Sequence, residues 1–151
     1  MIHVRPYDST DREFMLSLAP RLAIGIAPWR DPQKMIVTAQ GWITESIEQH
    51  GREAMVFVAE NENGERLGFA TVSRRSHFTG EGQAYIGELA TNEKAEGRGV
   101  GKALAQTCEQ WARDQGYRFI SLATGAANER ALGFYRHMGY LDEDVTLVKL
   151  L

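Results

Sequence analysis

The sequence predicts a single α/β domain of mixed α+β type, with a central, mostly antiparallel sheet and about four helices. Three apolar runs separated by turn-forming residues occupy positions 54–91, as in a meander of antiparallel strands. Helical and extended patterns then alternate from residue 99 onwards. The chain has 151 residues, of which 43% are hydrophobic and 25% charged, and this is enough for one hydrophobic core without a second domain.

The first third predicts a strand, a helix, a loop and a second helix. Residues 2–5 alternate apolar and polar side chains before a proline that ends the strand. Residues 8–10 (DST) are suitable N-caps for a helix that ends near the next proline. Residues 21–33 contain one glycine and two prolines and predict a loop. A helical period runs over residues 34–50, and Gly51 follows as its C-terminal cap.

The middle of the chain predicts three consecutive strands. Residues 54–60 and 66–73 form a hairpin around a turn, and residues 84–91 supply the third strand after a polar loop. Gly87 lies inside that third strand. A glycine at such a position marks a β-bulge or a place where another backbone or a ligand approaches closely.

The last third predicts a helix over residues 99–115, a strand over 118–124 and a helix that Asn128 caps. Gly139 ends this helix, and residues 145–150 predict a final strand. No internal repeat or linker interrupts the order.

Charge and composition exclude several classes of function. The net charge is −3 and no run of Lys or Arg is present, so an extended nucleic-acid partner is not expected. No apolar stretch reaches the length of a membrane span, so no membrane association is expected. The four histidines and Cys108 lack metal-ligand spacing, so no metal site is expected. A lone cysteine forms no internal disulfide, and the cytoplasm is the expected compartment.

The most informative segment is EGRGVGKA, residues 96–103, between a predicted strand and a predicted helix. Gly97, Gly99 and Gly101 let backbone N–H groups approach an anion, and the helix N-terminus directs its positive dipole end to the same place. Arg98 and Lys102 add positive charge, so a diphosphate is a suitable guest. On this segment alone, a turn that only shapes the chain is the alternative.

Two other glycine-rich phosphate motifs do not fit these residues. The dinucleotide fingerprint needs a third glycine at Lys102 or Leu104. The nucleoside-triphosphate loop needs a glycine at Glu96 and a hydroxyl group at Ala103. Neither class of nucleotide-binding protein is therefore predicted.

Two motifs in the second half match the pattern of a known family. Residues 96–101 fit [Q/R]-x-x-G-x-[G/A] at both glycines, whereas Glu96 stands where Gln or Arg is usual. NERALGFYRHMGY fits N-x-x-A-x-x-F-Y-x-x-x-G-[F/Y] at Asn128, Ala131, Phe134, Tyr135, Gly139 and Tyr140. The tail EDVTLVKLL is similar to the family's closing strand. The chain thus resembles the GNAT superfamily of N-acetyltransferases.

The resemblance implies acetyl-CoA as co-substrate and a GNAT-like sheet with splayed middle strands. The pyrophosphate would lie on the backbone of Gly97, Arg98, Gly99, Val100, Gly101 and Lys102. The pantetheine arm would pair like a strand with Leu89, Ala90 and Thr91, and Asn128 would also touch it. The acetyl thioester would lie in the gap between the strand beginning at Leu89 and the strand around Ile120.

Acetyl transfer by direct attack needs a base for the amine and an acid for the departing thiolate. Glu88 beside the predicted bulge is the nearest candidate base, with an exposed strand glutamate as the alternative. A water relay through Glu88, or a base from Glu45, Glu60 or His77, is left open. Tyr135 matches the family's general acid, although helical periodicity alone favours a core tyrosine.

We therefore predict an N-acetyltransferase that transfers an acetyl group from acetyl-CoA to a primary amine of a small molecule. A protein or peptide amine, or a non-catalytic acyl-CoA-binding module, is the alternative. The donor-binding half spans about residues 84–151, and the acceptor-selecting half about 1–83. By the resemblance, Arg21, Arg30 and Lys34 are available in the acceptor half for a carboxylate or phosphate. A homodimer is left open.

Overall fold

A five-stranded sheet forms the centre of the computed structural model, which describes residues 1–151. The strands are β1 (His3–Pro6), β2 (Ala54–Glu60), β3 (Arg66–Ser76), β4 (Gly82–Thr91) and β5 (Ile120–Leu122). They lie in the order β1-β2-β3-β4-β5, and all neighbours are antiparallel except the parallel pair β4 and β5. The predicted mixed, mostly antiparallel sheet is confirmed.

Four α-helices accompany the sheet, as predicted. They are α1 (Arg12–Ser17), α2 (Pro32–Gln49), α3 (Val100–Asp114) and α4 (Glu129–His137), and short 3-10 helices occupy Ser9–Asp11, Ala19–Ala23 and Glu93–Ala95. Helix α2 begins two residues earlier than predicted, because a proline at the first helical position loses no hydrogen bond. No helix combines the length and the hydrophobicity that crossing a membrane requires.

The helices cover the sheet on both faces. On one face, Leu104 and Cys108 of α3 belong to a buried cluster with residues of β2, β3 and β4. On the other face, Ile43 of α2 and Met15 of α1 are fully buried against Phe69 of β3. The sheet is therefore the middle of three layers, and β2, β3 and β4 each have side chains in both cores.

The predicted splay of the middle strands is present. Strand β5 pairs with only residues 84–86 of β4, over Ile120–Leu122. Beyond this point residues 87–91 of β4 keep their pairing to β3 alone. One edge of β4 is thus free in its second half, because β5 is shorter than the predicted strand over residues 118–124.

The predicted bulge is also present, and Gly87 is its extra residue. Val72 pairs with Ile86 and Thr71 pairs with Glu88, so Gly87 has no partner on β3. A Cβ atom at position 87 would lie 3.1 Å from the hydroxyl oxygen of Thr71. The extra residue reverses the alternation of side chains along β4.

The prediction of a final strand over residues 145–150 is wrong. The chain after residue 140 has no regular secondary structure, and Leu147 is 89% exposed. Arg136 of α4 holds Asp142 through two hydrogen bonds of 2.9 and 2.7 Å. An alternating apolar pattern indicates a strand only where a partner edge is within reach, and no backbone ladder forms here.

Candidate active site

The glycine-rich turn forms a cradle of free backbone N–H groups. Gly97 and Gly99 have φ values of 76° and 84°, in the left-handed region that favours glycine, and α3 starts directly after Gly99. The amide groups of residues 97–102 donate no hydrogen bond to another protein group. Arg98 and Lys102 are exposed beside them. This set of donors fits an anion at the N-terminus of a fifteen-residue helix.

The third glycine serves packing instead of backbone conformation. A Cβ atom at Gly101 would lie 3.4 Å from Cζ of Phe134 in α4 and 3.8 Å from Cδ2 of Leu89 in β4. The absence of a side chain lets the start of α3 approach both elements. The cradle is thereby placed beside the free edge of β4.

Glu96, the departure from the family pattern, lies between two arginines. Its carboxylate accepts hydrogen bonds from Arg21 and, at 2.9 Å, from Arg130 of α4. Arg21 also donates through Nε to the carbonyl of Thr91 at 3.2 Å. Glu96 thus ties the loop after α1 to α4 across the free end of β4. Arg21 is engaged in this tie, so the structure does not place it as an acceptor-binding group.

The predicted pantetheine contacts line the free edge of β4. Leu89, Ala90 and Thr91 pair with β3 on one side and have no strand on the other. Asn128 caps α4 as predicted, because its side-chain oxygen accepts from the Ala131 amide at 3.2 Å. Its side-chain NH₂ donates to the carbonyl of Ile24 at 3.2 Å. The cap is confirmed, and the contact with pantetheine stays a prediction.

Glu88 is a buried carboxylate without a cationic partner. It is 6% exposed, and the Ser46 hydroxyl of α2 donates to its Oε1 at 2.7 Å. Its own amide donates to the Thr71 hydroxyl at 3.0 Å across the bulge. Burial raises the pKa of Glu88 above its ordinary value, with a further contribution from the nearby charge of Glu45. The interpretation as an exposed strand glutamate is wrong.

A cavity of about 350 Å³ opens beside Glu88 between α2 and the sheet. Its chemically distinctive lining residues are Trp42, Glu45, Ser46, Arg75, Tyr85 and Glu88. Of the candidate bases, Glu45 and Glu88 therefore share one cavity. Arg30 and Lys34 do not line it.

The two remaining candidate bases are not brought to this cavity. Glu60 accepts a hydrogen bond of 3.0 Å from Arg5 at the β1 side of the sheet. His77 lies in the turn between β3 and β4, where its Nδ1 is 2.7 Å from the Thr79 hydroxyl. The water-relay alternative through Glu88 stays a prediction.

Tyr135 is a largely buried residue of α4. Its ring makes edge contacts with Phe134 and Tyr140, at centroid distances of 5.0 and 5.5 Å. Burial raises the pKa of Tyr135 above its ordinary value, with a further contribution from Cys108. Tyr140, in contrast, donates its hydroxyl to Glu109 at 2.9 Å.

Of the chemically distinctive side chains of the cavity, sequence reasoning missed four: Trp42, Ser46, Arg75 and Tyr85. They come from α2, β3 and β4, and only the tertiary fold brings them together. A partial signal existed for Tyr85, because the bulge at Gly87 reverses the alternation and places it on the same face as Glu88.

Comparisons with known proteins agree with this geometry. Residues 22–140 match the Acetyltransferase (GNAT) family. N-acetyltransferase 8F1 of Rattus norvegicus is 31% identical over 129 residues, which cover 84% of this chain and 57% of that protein. The chain thus spans little more than half the length of this curated relative.

Solved structures show the same fold. The GCN5-related N-acetyltransferase of Ralstonia eutropha JMP134 has a TM-score of 0.76 at 19% identity, with 99% of each chain covered. AAC(6')-Iy, solved with the bisubstrate analog CoA-S-monomethyl-acetylneamine, has a TM-score of 0.71 at 18% identity, covering 100% of this chain and 99% of that one. With its sequence matched over residues 22–140, the chain belongs to the GNAT family of acetyltransferases.

Proposed function

We propose that this chain transfers the acetyl group of acetyl-CoA to the primary amine of a small molecule. The observation that carries the proposal is the junction at Gly87. There the free edge of β4 leads from the cradle of residues 97–102 to the cavity that holds the buried carboxylate of Glu88. Donor and acceptor would therefore meet at one point of the sheet.

The residues of the donor side fit acetyl-CoA. The free amides of residues 97–102 suit the pyrophosphate, with Arg98 and Lys102 as exposed cations. Leu89, Ala90 and Thr91 offer a strand edge to the pantetheine arm, next to Asn128. Bound there, the co-substrate supplies an activated acetyl group as a thioester. Family membership and the CoA analog bound to AAC(6')-Iy support this assignment.

Glu88 is the proposed base. An alkylamine has a pKa of about 10 and is protonated at neutral pH, so it must lose a proton before it attacks. The Glu88 carboxylate accepts that proton, and its raised pKa brings it closer to neutral pH, which improves a general base. Ser46 holds the carboxylate in place through the hydrogen bond to Oε1.

Tyr135 is the proposed acid. Its raised pKa keeps the hydroxyl protonated at neutral pH, so the proton is available for the departing thiolate sulfur. The hydroxyl donates no hydrogen bond to another protein group, in contrast to Tyr140, so its proton is not already engaged. The family motif NERALGFYRHMGY is the further support for this role.

A small acceptor fits the cavity better than a protein does. A volume of about 350 Å³ lies in the usual range of small-ligand pockets. Acetylation of a protein or peptide amine, and acyl-CoA binding without catalysis, are the competing functions.

The test is release of free thiol from acetyl-CoA with a panel of alkylamines, amino acids and lysine-containing peptides, combined with calorimetric binding of acetyl-CoA. We expect binding and amine-dependent thiol release with small amines. Binding without release from any amine would establish a non-catalytic module. Release with peptides alone would establish protein acetylation.

A further inference from the structure

The cavity beside Glu88 is also lined by a cationic side chain, Arg75, that the proposed reaction does not use. Arg75 of β3 lines the cavity, and its guanidinium carbon lies 3.4 Å from the ring centroid of Tyr85. The Tyr85 ring holds the guanidinium by a cation–π contact. The N–H groups of Arg75 therefore remain available to another partner. No carboxylate of the protein forms an ion pair with Arg75, whereas Arg5, Arg21 and Arg66 each have one.

The bulge places this cation and the acidic groups on the same face. Tyr85 and Glu88 are three positions apart, and in a regular strand their side chains would point to opposite faces. Gly87 is the extra residue that reverses the alternation, so both side chains line the cavity. The insertion therefore builds one site from two groups that a regular strand would separate.

The Arg75 guanidinium lies on the Tyr85 ring, so the separation of Tyr85 from Glu88 along the strands bears on the length of a spacer between the two charged ends. Tyr85 pairs with Ser73 and Glu88 pairs with Thr71, so their pairing positions are two residues apart on β3. Two residues of strand correspond to about 7 Å. The indole of Trp42, on α2, forms an apolar part of the lining. An aliphatic chain of a few methylene groups fits between such ends.

The charges of the cavity are complementary to a zwitterion. Glu45 and Glu88 have no cationic partner, and they suit an ammonium group at the end where the acetyl group would be delivered. Arg75 suits a carboxylate or a phosphate, because its planar fork of N–H groups binds both in a bidentate manner. A diamine would instead bring its second ammonium group against the guanidinium.

We propose that the acceptor is a primary amine that also carries an anionic group on a short apolar spacer, with Arg75 on Tyr85 as the anion-recognition site. This inference rests on the acetyltransferase function proposed above. Arg75 is a specificity-determining residue in this account and takes no part in proton transfer.

The experiment compares four acceptors of similar length: 5-aminopentanoate, 3-aminopropylphosphonate, pentylamine and 1,5-diaminopentane. The readout is kcat/KM from thiol release, for the unmodified chain and for Arg75→Gln. Arg74→Gln is the matched control, because its side chain points to the other face of the same strand. Arg75→Lys keeps the positive charge but loses the planar fork of N–H donors. Thermal unfolding checks that every variant is folded.

We expect at least one of the two anionic acceptors to exceed pentylamine by about tenfold in kcat/KM, with the diamine lowest. Arg75→Gln removes this preference, Arg75→Lys reduces it, and Arg74→Gln leaves it intact. The order of carboxylate and phosphonate identifies which anion is recognised. Equal use of pentylamine and the anionic amines, preference for the diamine, or the same loss in both Gln variants would overturn the inference. Absence of thiol release with every amine would instead overturn the acetyltransferase function itself.

Discussion

Asp11 and Glu88 are both buried carboxylates, but their surroundings are opposite in charge. Asp11, at the β1 side of the sheet, is fully buried and accepts hydrogen bonds of 2.8 Å from Arg5 and 2.7 Å from Arg66. Glu88, beside the bulge, is 6% exposed and has a serine hydroxyl instead of a cation as its side-chain donor. Burial acts on the pKa of both groups in the same upward direction. The two arginines reverse that effect at Asp11 and hold its pKa well below the ordinary value.

The difference separates a carboxylate that stabilises the fold from one that is available for chemistry. A paired carboxylate stays ionised and holds elements together, here β1, β3 and the turn before α1. A buried carboxylate without a cationic partner has a raised pKa, which makes it a better proton acceptor. Burial alone therefore does not identify a functional carboxylate. A buried carboxylate that has no cationic partner is the better candidate.

The largest expected effect is on the rate. Glu88→Gln should lower kcat/KM by about a hundredfold or more, because the proposed base is lost while the shape of the side chain is kept. The affinity for acetyl-CoA should stay unchanged. Steady-state kinetics and calorimetric titration measure the two quantities. Glu45→Gln is the matched control in the same cavity and should cost much less rate.

Glu88→Gln should also leave the fold as stable as before, or more stable. The folded state raises the pKa of Glu88, so it binds the proton more tightly than the unfolded chain does. The Glu88 carboxylate therefore opposes folding as the pH rises above about 4.5 and through its raised pKa. Urea unfolding at neutral pH is the measurement, and a clear loss of stability would assign Glu88 a structural role.

The second effect is on stability. Asp11→Asn should lower the free energy of unfolding by about 2–3 kcal/mol, because Arg5 and Arg66 lose a shared buried partner but are themselves partly exposed. Asp142→Asn, which breaks the exposed pair with Arg136, should change the free energy of unfolding much less. Equal effects of the two substitutions in urea unfolding would show that the buried carboxylate of Asp11 stabilises the fold no more than an exposed ion pair does.

Asp11 also predicts how stability depends on pH. The pKa of Asp11 in the folded state lies below the ordinary value of 3.8, so the stabilisation that Asp11 provides is complete above about pH 4. The contribution is lost as the pH falls from about 4 through the folded pKa. Unfolding measured between pH 6 and pH 3 should therefore lose less stability in Asp11→Asn than in the unmodified chain.

The same contrast applies to two partly buried tyrosines of one motif, Tyr135 in α4 and Tyr140 just after it. Tyr135→Phe should lower kcat by about tenfold to a hundredfold with unchanged affinity for acetyl-CoA, since only a proton donor is removed. Tyr140→Phe should instead cost about 1 kcal/mol of stability, because it removes the hydrogen bond to Glu109. A loss of affinity in step with the rate in Tyr135→Phe would rule out the general acid.

A smaller effect distinguishes the two glycines at the ends of α3. Gly99 and Gly116 have nearly identical φ values of 84° and 83°, and neither has backbone within 4 Å of an added Cβ atom. Alanine should strain both positions by about 1 kcal/mol. Only Gly99→Ala should weaken acetyl-CoA binding, by about tenfold in Kd, because only Gly99 belongs to the cradle. Equal affinities of the two variants would remove the cradle from the donor site.

The sequence predicted the parts of the molecule that are encoded locally. The meander, the four helices, the bulge at Gly87 and the cradle each depend on residues close together in the chain, where spacing and glycine conformation are informative. The cavity was not predictable in this way, because Trp42 reaches Arg75 and Tyr85 only through the packing of α2 on the sheet. The prediction of a strand over residues 145–150 failed for a related reason. An alternating apolar pattern does not reveal whether the edge of another strand is accessible for pairing.

The central claim is that Glu88 removes the proton from the acceptor amine, and the pH dependence of kcat/KM tests it most directly. With Glu88 as the base, the ionised carboxylate uses the protonated amine, so kcat/KM should be level between the raised pKa of Glu88 and the amine pKa of about 10. In Glu88→Gln only the free amine can react, so kcat/KM should rise about tenfold per pH unit over the same range. Parallel profiles for the two proteins would contradict the account.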